Sequence, residues 1–71
     1  MMEGVVTVAQ ESRFQLTDDR GVSHLFVLAP DAGAEPDQLA PLSRQQARVR
    51  VGYTRPENII GLLAHSIAAI R

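Results

Sequence analysis

Strict alternation of apolar and polar side chains limits this chain's fold more than any other feature. In Ala47-Arg48-Val49-Arg50-Val51-Gly52-Tyr53, the residues Ala47, Val49, Val51 and Tyr53 fall on one side, and Arg48 and Arg50 on the other. A repeat of two marks a half-buried strand, because successive Cβ atoms of an extended chain point to opposite faces. Arg13-Phe14-Gln15-Leu16-Thr17 repeats the pattern with Phe14 and Leu16 on the apolar side. Between Glu3 and Ala9, the β-branched Val5, Val6, Thr7 and Val8 suit a pleated surface and predict a first strand.

Asp18-Asp19-Arg20-Gly21 is the clearest reversal. Aspartate suits the first position of a type I turn, and Gly21 can take the left-handed conformation that completes a bulged hairpin. The turn predicts a register in which Asp18 pairs with Val22, Phe14 faces Phe26 and Leu16 faces His24. Both phenylalanines then enter one core, whereas a slip of one residue would turn His24 and Phe26 outward. Val22 to Leu28 is the returning strand.

Ala29 to Gln38 reads as a loop, with Pro30, Gly33 and Pro36. A short helix is predicted within Asp37 to Gln45, with Asp37 as N-cap, Leu39 and Leu42 turned inward, and Pro41 limiting its regularity. Thr54 to Glu57 is a break after the alternating strand. Asn58 to Ile70 admits two readings. Thr54 with Glu57 fits a capping box ahead of a helix, while Ile59-Ile60-Gly61-Leu62-Leu63 reads as a buried strand. A strand over at least the first half of this segment is the expectation, because four strands alone would leave open edges.

The order is therefore three strands, a short helical insert and two more strands, within one domain spanning residues 1–71. A chain of 71 residues buries only roughly 60% of the surface exposed by its unfolded form. The chain has no cysteine, so disulfides and thiolate zinc sites are excluded. Its stability must come from a well-closed core or from self-association. Hydrophobic residues form 45% and charged residues 21% of the chain, a composition suited to an ordered domain. No apolar run approaches the ~18 residues needed to cross a bilayer. Met1-Met2-Glu3-Gly4 has no basic segment leading an apolar stretch, so the cytoplasm is the expected compartment.

A helical insert between the third and fourth strands of a five-stranded barrel is the layout of the OB-fold. The run from Gln10 to Gly21, followed by His24-Leu25-Phe26-Val27-Leu28, resembles a group of short uncharacterised bacterial proteins. Arg48-Val49-Arg50-Val51-Gly52-Tyr53 is similar to the strand that follows the insert in OB-like barrels. The resemblance implies a mainly β, small five-stranded OB-like barrel and no particular activity.

The chemistry-bearing residues point away from catalysis. His24 and His65 are the only histidines, and with Asp18 or Asp19 they match no standard metal-ligand spacing. Asp18 and Asp19 are explained by the turn. The serines have no nucleophile elbow and the glycines form no phosphate loop. The expectation is a non-enzymatic module without cofactor or metal, contacting a protein, a small ligand or itself through a strand edge, with an OB-fold domain that binds a single-stranded oligonucleotide as the alternative. All seven basic residues are arginines and the formal net charge is -1, which weakens the oligonucleotide reading. Arg13 and Gln15 on the second strand, with Arg48 and Arg50 on the fourth, are the candidate binding residues. The competing reading of the arginines is a solvated face paired with Glu3 or Glu11.

Overall fold

The computed structural model describes residues 1–70. Five strands are joined in the order β1 (Met2–Gln10), β2 (Arg13–Thr17), β3 (Ser23–Leu28), β4 (Arg48–Thr54) and β5 (Leu62–Ala69). They close into a barrel whose neighbours run β1-β2-β3-β5-β4. A single short helix, α1 (Leu39–Arg44), lies between β3 and β4. The expected class of small β-barrel with a helical insert is the observed one.

The hairpin forms in the predicted register. Phe14 pairs with Phe26 and Leu16 with His24. The turn follows the chemistry of its residues. Gly21 adopts φ 81°, and its N–H donates to the Asp18 carbonyl over 3.0 Å. The Asp18 N–H donates to the Val22 carbonyl over 2.9 Å. One carboxylate oxygen of Asp18 accepts from the backbone of both Arg20 and Val22, each at 3.0 Å. Aspartate thus satisfies donors that the tight reversal would leave without partners.

Phe14 and Phe26 are buried and stack with ring centroids 5.1 Å apart and an interplanar angle of 8°. Tyr53 presents its edge to Phe26 at 5.8 Å and 84°. Val6 of β1, Leu16 of β2, Val49 and Val51 of β4, and Leu62 and Ala64 of β5 complete the interior. Nearly all the aromatic surface is thereby spent on the core, which matters for what the outside can bind.

β5 joins β3 in parallel, with Phe26 opposite Leu62 and Leu28 opposite Ala64. This pairing shuts the barrel. The strand reading of the C-terminal segment therefore holds over Leu62–Ala69, but the strand starts later than expected. Residues 58–61 are turn and bend, and Ile59 and Ile60 are exposed. The cause lies at Gly61. Its φ of 103° is inaccessible to an extended strand, and its α-carbon packs so closely on β3 that a Cβ would lie 2.9 Å from the Leu25 carbonyl oxygen. Thr54 and Glu57 start no helix.

The insert also differs in detail. A 3-10 turn, Pro36–Gln38, runs directly into α1. Its N-cap is Glu35, whose N–H donates to the Gln38 side chain over 2.7 Å, so Asp37 lies inside the turn and caps nothing. Leu39 is wholly buried and Leu42 packs at the edge of the core, as their spacing predicted. Gln46 then reverses the chain at φ 50°.

Two irregularities set which side chains face outward. The β1–β2 register shifts between Val6 and Val8. This turns Val8 to the surface and Ala9 toward the core. A second shift, at Gly52/Tyr53, leaves His65 without a Cα partner on β4. Such bulges add one residue to a strand and re-aim its neighbours.

Candidate functional site

The outer surface of β2 and β3 carries exposed polar, charged and apolar side chains side by side. On β2, Arg13 and Gln15 alternate with the buried Phe14 and Leu16, so both project outward as predicted. Leu25 lies across from Gln15 on β3, and Val8 lies across from Gln15 on β1. Val8 and Leu25 are both exposed, at 51% and 39%. They stand on either side of Gln15, with Arg13 two residues along β2. A cleft of about 200 Å³ opens here, lined by Val8, Gln10, Arg13, Phe14, Gln15 and Leu25.

A second cleft, of about 320 Å³, lies on the other side of Leu25. It is walled by His24 and Leu25 of β3, by Leu62 at the start of β5, and by Arg55, Pro56, Ile59 and Gly61 of the β4–β5 loop. The close approach of Gly61 to Leu25 is what brings this loop onto β3. Leu25 is thus shared by both clefts, which lie between the β1–β2 connection and the β4–β5 loop. Sequence reasoning missed Val8, Leu25, Arg55 and Ile59. The signal for Leu25 was present, since it alternates with the inward Phe26. Nothing local showed that residues 55–61 would fold back onto β3.

The structure does not bring Arg48 and Arg50 to this face, because β1 runs between β2 and β4. Both are tied to carboxylates. Arg50 Nη2 lies 2.9 Å from Glu3 Oε2. Arg48 grips Asp19 with two hydrogen bonds, of 2.8 and 3.1 Å. Glu3 is the partner that the solvated-face reading named; Asp19, in the β2–β3 turn, is one that it did not. The guanidinium of Arg48 holds Asp19 below the usual carboxylate range, and Asp19 in turn raises Arg48. Such a fork has little positive field left for a ligand. Arg13 and Arg55, by contrast, make no ion pair among the described residues.

The two histidines have separate carboxylates. His24 Nε2 donates to Asp18 Oδ2 over 2.8 Å at the rim of the larger cleft. That hydrogen bond, followed by the one from the Val22 N–H, lowers the pKa of Asp18. His65 Nδ1 lies 3.0 Å from Asp31 Oδ1, and its Nε2 lies 2.8 Å from Thr54 Oγ1. This hydroxyl–imidazole–carboxylate chain has the connectivity of a nucleophile, base and orienting acid. It stands in the open, however, with Asp31 72% exposed and none of its members lining a described cleft. Its evident effect is to fasten the loop after β3 to β4 and β5. Among the described residues, no three metal-ligating side chains converge.

The Asp18 arrangement gives a pH dependence whose sign can be derived. The folded-state pKa lies below the ordinary 3.8, so the carboxylate contributes stability at pH values above its unfolded pKa. That contribution is lost as pH falls through the folded value. We expect thermal unfolding of the wild type to drop on acidification below about pH 4, with a shallower drop in Asp18→Asn. Parallel circular-dichroism melts between neutral and strongly acidic pH check this; equal acid slopes would refute it.

Comparison with protein-family models, with curated proteins and with solved structures gave no match.

Proposed function

We propose that this chain is a non-enzymatic binding module that docks its ligand on the outer face of β2 and β3. The observation that carries this reading is the position of Leu25, an exposed apolar side chain shared by two clefts and framed by Arg13, Gln15 and Arg55. Exposed apolar surface rimmed by unpaired polar groups is what interaction sites offer. The ligand best suited to it is a protein segment. Its exposed apolar side chains are aliphatic, and the phenylalanines that could stack on bases are stacked on each other inside the barrel.

A second reading is an oligonucleotide-binding OB domain. The strand order with its parallel β3–β5 closure, and clefts lying between the first and fourth loops, support it, since OB-folds take oligonucleotides on that side. The aliphatic exposed side chains and the ion-paired state of Arg48 and Arg50 favour the protein segment. The two readings differ in salt dependence. Contacts limited to Arg13 and Arg55 would give a log–log slope no steeper than about -1.4 on a single strand.

Shift mapping of backbone amides during titration with peptides and with oligo-dT tests the docking face. We expect perturbations to centre on Val8, Gln15, Leu25 and Ile59, and Leu25→Asp to abolish them while leaving the rest of the spectrum in place. Perturbations centred on Arg48 and Arg50 would contradict the proposal.

A further inference from the structure

Charge and apolarity on the docking face are arranged in a definite order. Arg13 stands at the start of β2 and Arg55 at the start of the β4–β5 loop. Leu25, shared by both clefts, lies between them, with Ile59 in the cleft of Arg55 and Val8 on the far side of Gln15. Elsewhere on the strands, positive charge is cancelled internally by Glu3 and Asp19. The carboxylate of Asp18, beside the larger cleft, is occupied by two backbone donors and His24. Two cations without ion-pair partners among the described residues therefore flank Leu25, one in each of the clefts that share it.

We infer that the partner is an extended peptide segment with aliphatic side chains at its centre and a carboxylate toward each end. The inference rests on the docking reading above and specifies its ligand. Each component follows from the surface. An aliphatic centre removes Leu25 and Ile59 from water, the main favourable term in association. Arginine presents a planar fork that accepts a carboxylate in two hydrogen bonds, so carboxylates at both ends set the segment's register. An extended backbone suits a surface built from adjacent strands, because alternate side chains of a strand-like ligand face one surface. A basic segment would place like charges together at both ends, and a purely apolar one would leave the two arginines unused.

The test uses the full chain, labelled for amide spectroscopy, with three probes at low salt. One is a capped peptide with an aliphatic centre and glutamate at each end. The second has lysine in place of both glutamates, and the third is oligo-dT. We expect the glutamate peptide to bind best and to perturb Leu25, Gln15 and Ile59. Arg13→Ala and Arg55→Ala should each weaken it roughly two- to fivefold, in keeping with exposed ion pairs. Arg13→Glu with Arg55→Glu should reverse the preference toward the lysine peptide. Both arginines lie at the surface outside any described ion pair, so an unchanged spectrum of the free variant shows that the fold persists. If the lysine peptide or oligo-dT binds this face as well as the glutamate peptide, the inference is overturned and the docking reading stands. If no probe moves this face, both are overturned.

Discussion

Phe26→Ala should leave the domain largely unfolded at room temperature. Phe26 is wholly buried, stacked on Phe14 and met edge-on by Tyr53. Removing a core phenylalanine costs about 3–5 kcal/mol through lost transfer energy and the residual cavity. A single core in a domain this small supplies only about 3–5 kcal/mol in total, so the loss is comparable with the whole margin. Phe26→Leu should remain folded with a lower melting temperature, because most of the volume is kept. Leu25→Ala, the neighbour on the outer side of β3, should shift stability by less than about 0.5 kcal/mol. Urea unfolding followed by circular dichroism distinguishes the three. A cooperative transition in Phe26→Ala near that of the wild type would show that this ring does not anchor the core.

Gly4→Ala should be nearly as damaging, although it adds only a methyl group. β1 is bonded on both sides here, with Gly4 opposite Val49 and Val5 opposite Thr17. A Cβ at Gly4 would fall on the Thr17 carbonyl oxygen, with the carbonyl carbon 2.9 Å away and Asp18 Cα at 3.2 Å. These are backbone atoms that cannot swing aside. Accommodation must separate β1 from the end of β2, at about 3 kcal/mol or more, the upper range for overpacking. In an ordinary strand position the same change would be neutral or mildly stabilising, since alanine loses less backbone entropy than glycine. The expected result is a large fall in the unfolding midpoint, together with faster amide exchange at Thr17 and Asp18. An unchanged midpoint would mean that the β1–β2 approach is looser than described.

These two residues also mark the limits of the sequence reading. Phe26 was legible because alternation and turn chemistry act locally. The Asp18–Gly21 turn sets a register, and the register places both phenylalanines inside. The role of Gly4 was not legible, because the close approach is to a carbonyl that only the folded hairpin delivers. Val8 shows a similar failure. Counting in twos from Val6 puts it inside, and the bulge between them turns it out. In the C-terminal segment, the apolar run Ile59-Ile60-Gly61-Leu62-Leu63 looks continuous, yet Gly61 divides an exposed loop from a buried strand. Half of the candidate site was thus visible as Arg13 and Gln15. The other half depends on a loop returning to β3 across the sheet, and on Arg48 and Arg50 being paired with carboxylates distant in sequence.

Barrel closure holds these features together, since it places the β4–β5 loop beside Leu25 and creates the larger cleft. The direct measurement is a nuclear Overhauser spectrum of the intact chain. Parallel pairing predicts interstrand contacts between Phe26 and Leu62 and between Leu28 and Ala64, with a contact from the Gly61 α-protons to Leu25 where the loop meets β3. Helical sequential contacts through residues 58–70, with no contact between these residues and β3, would contradict closure and the docking face with it.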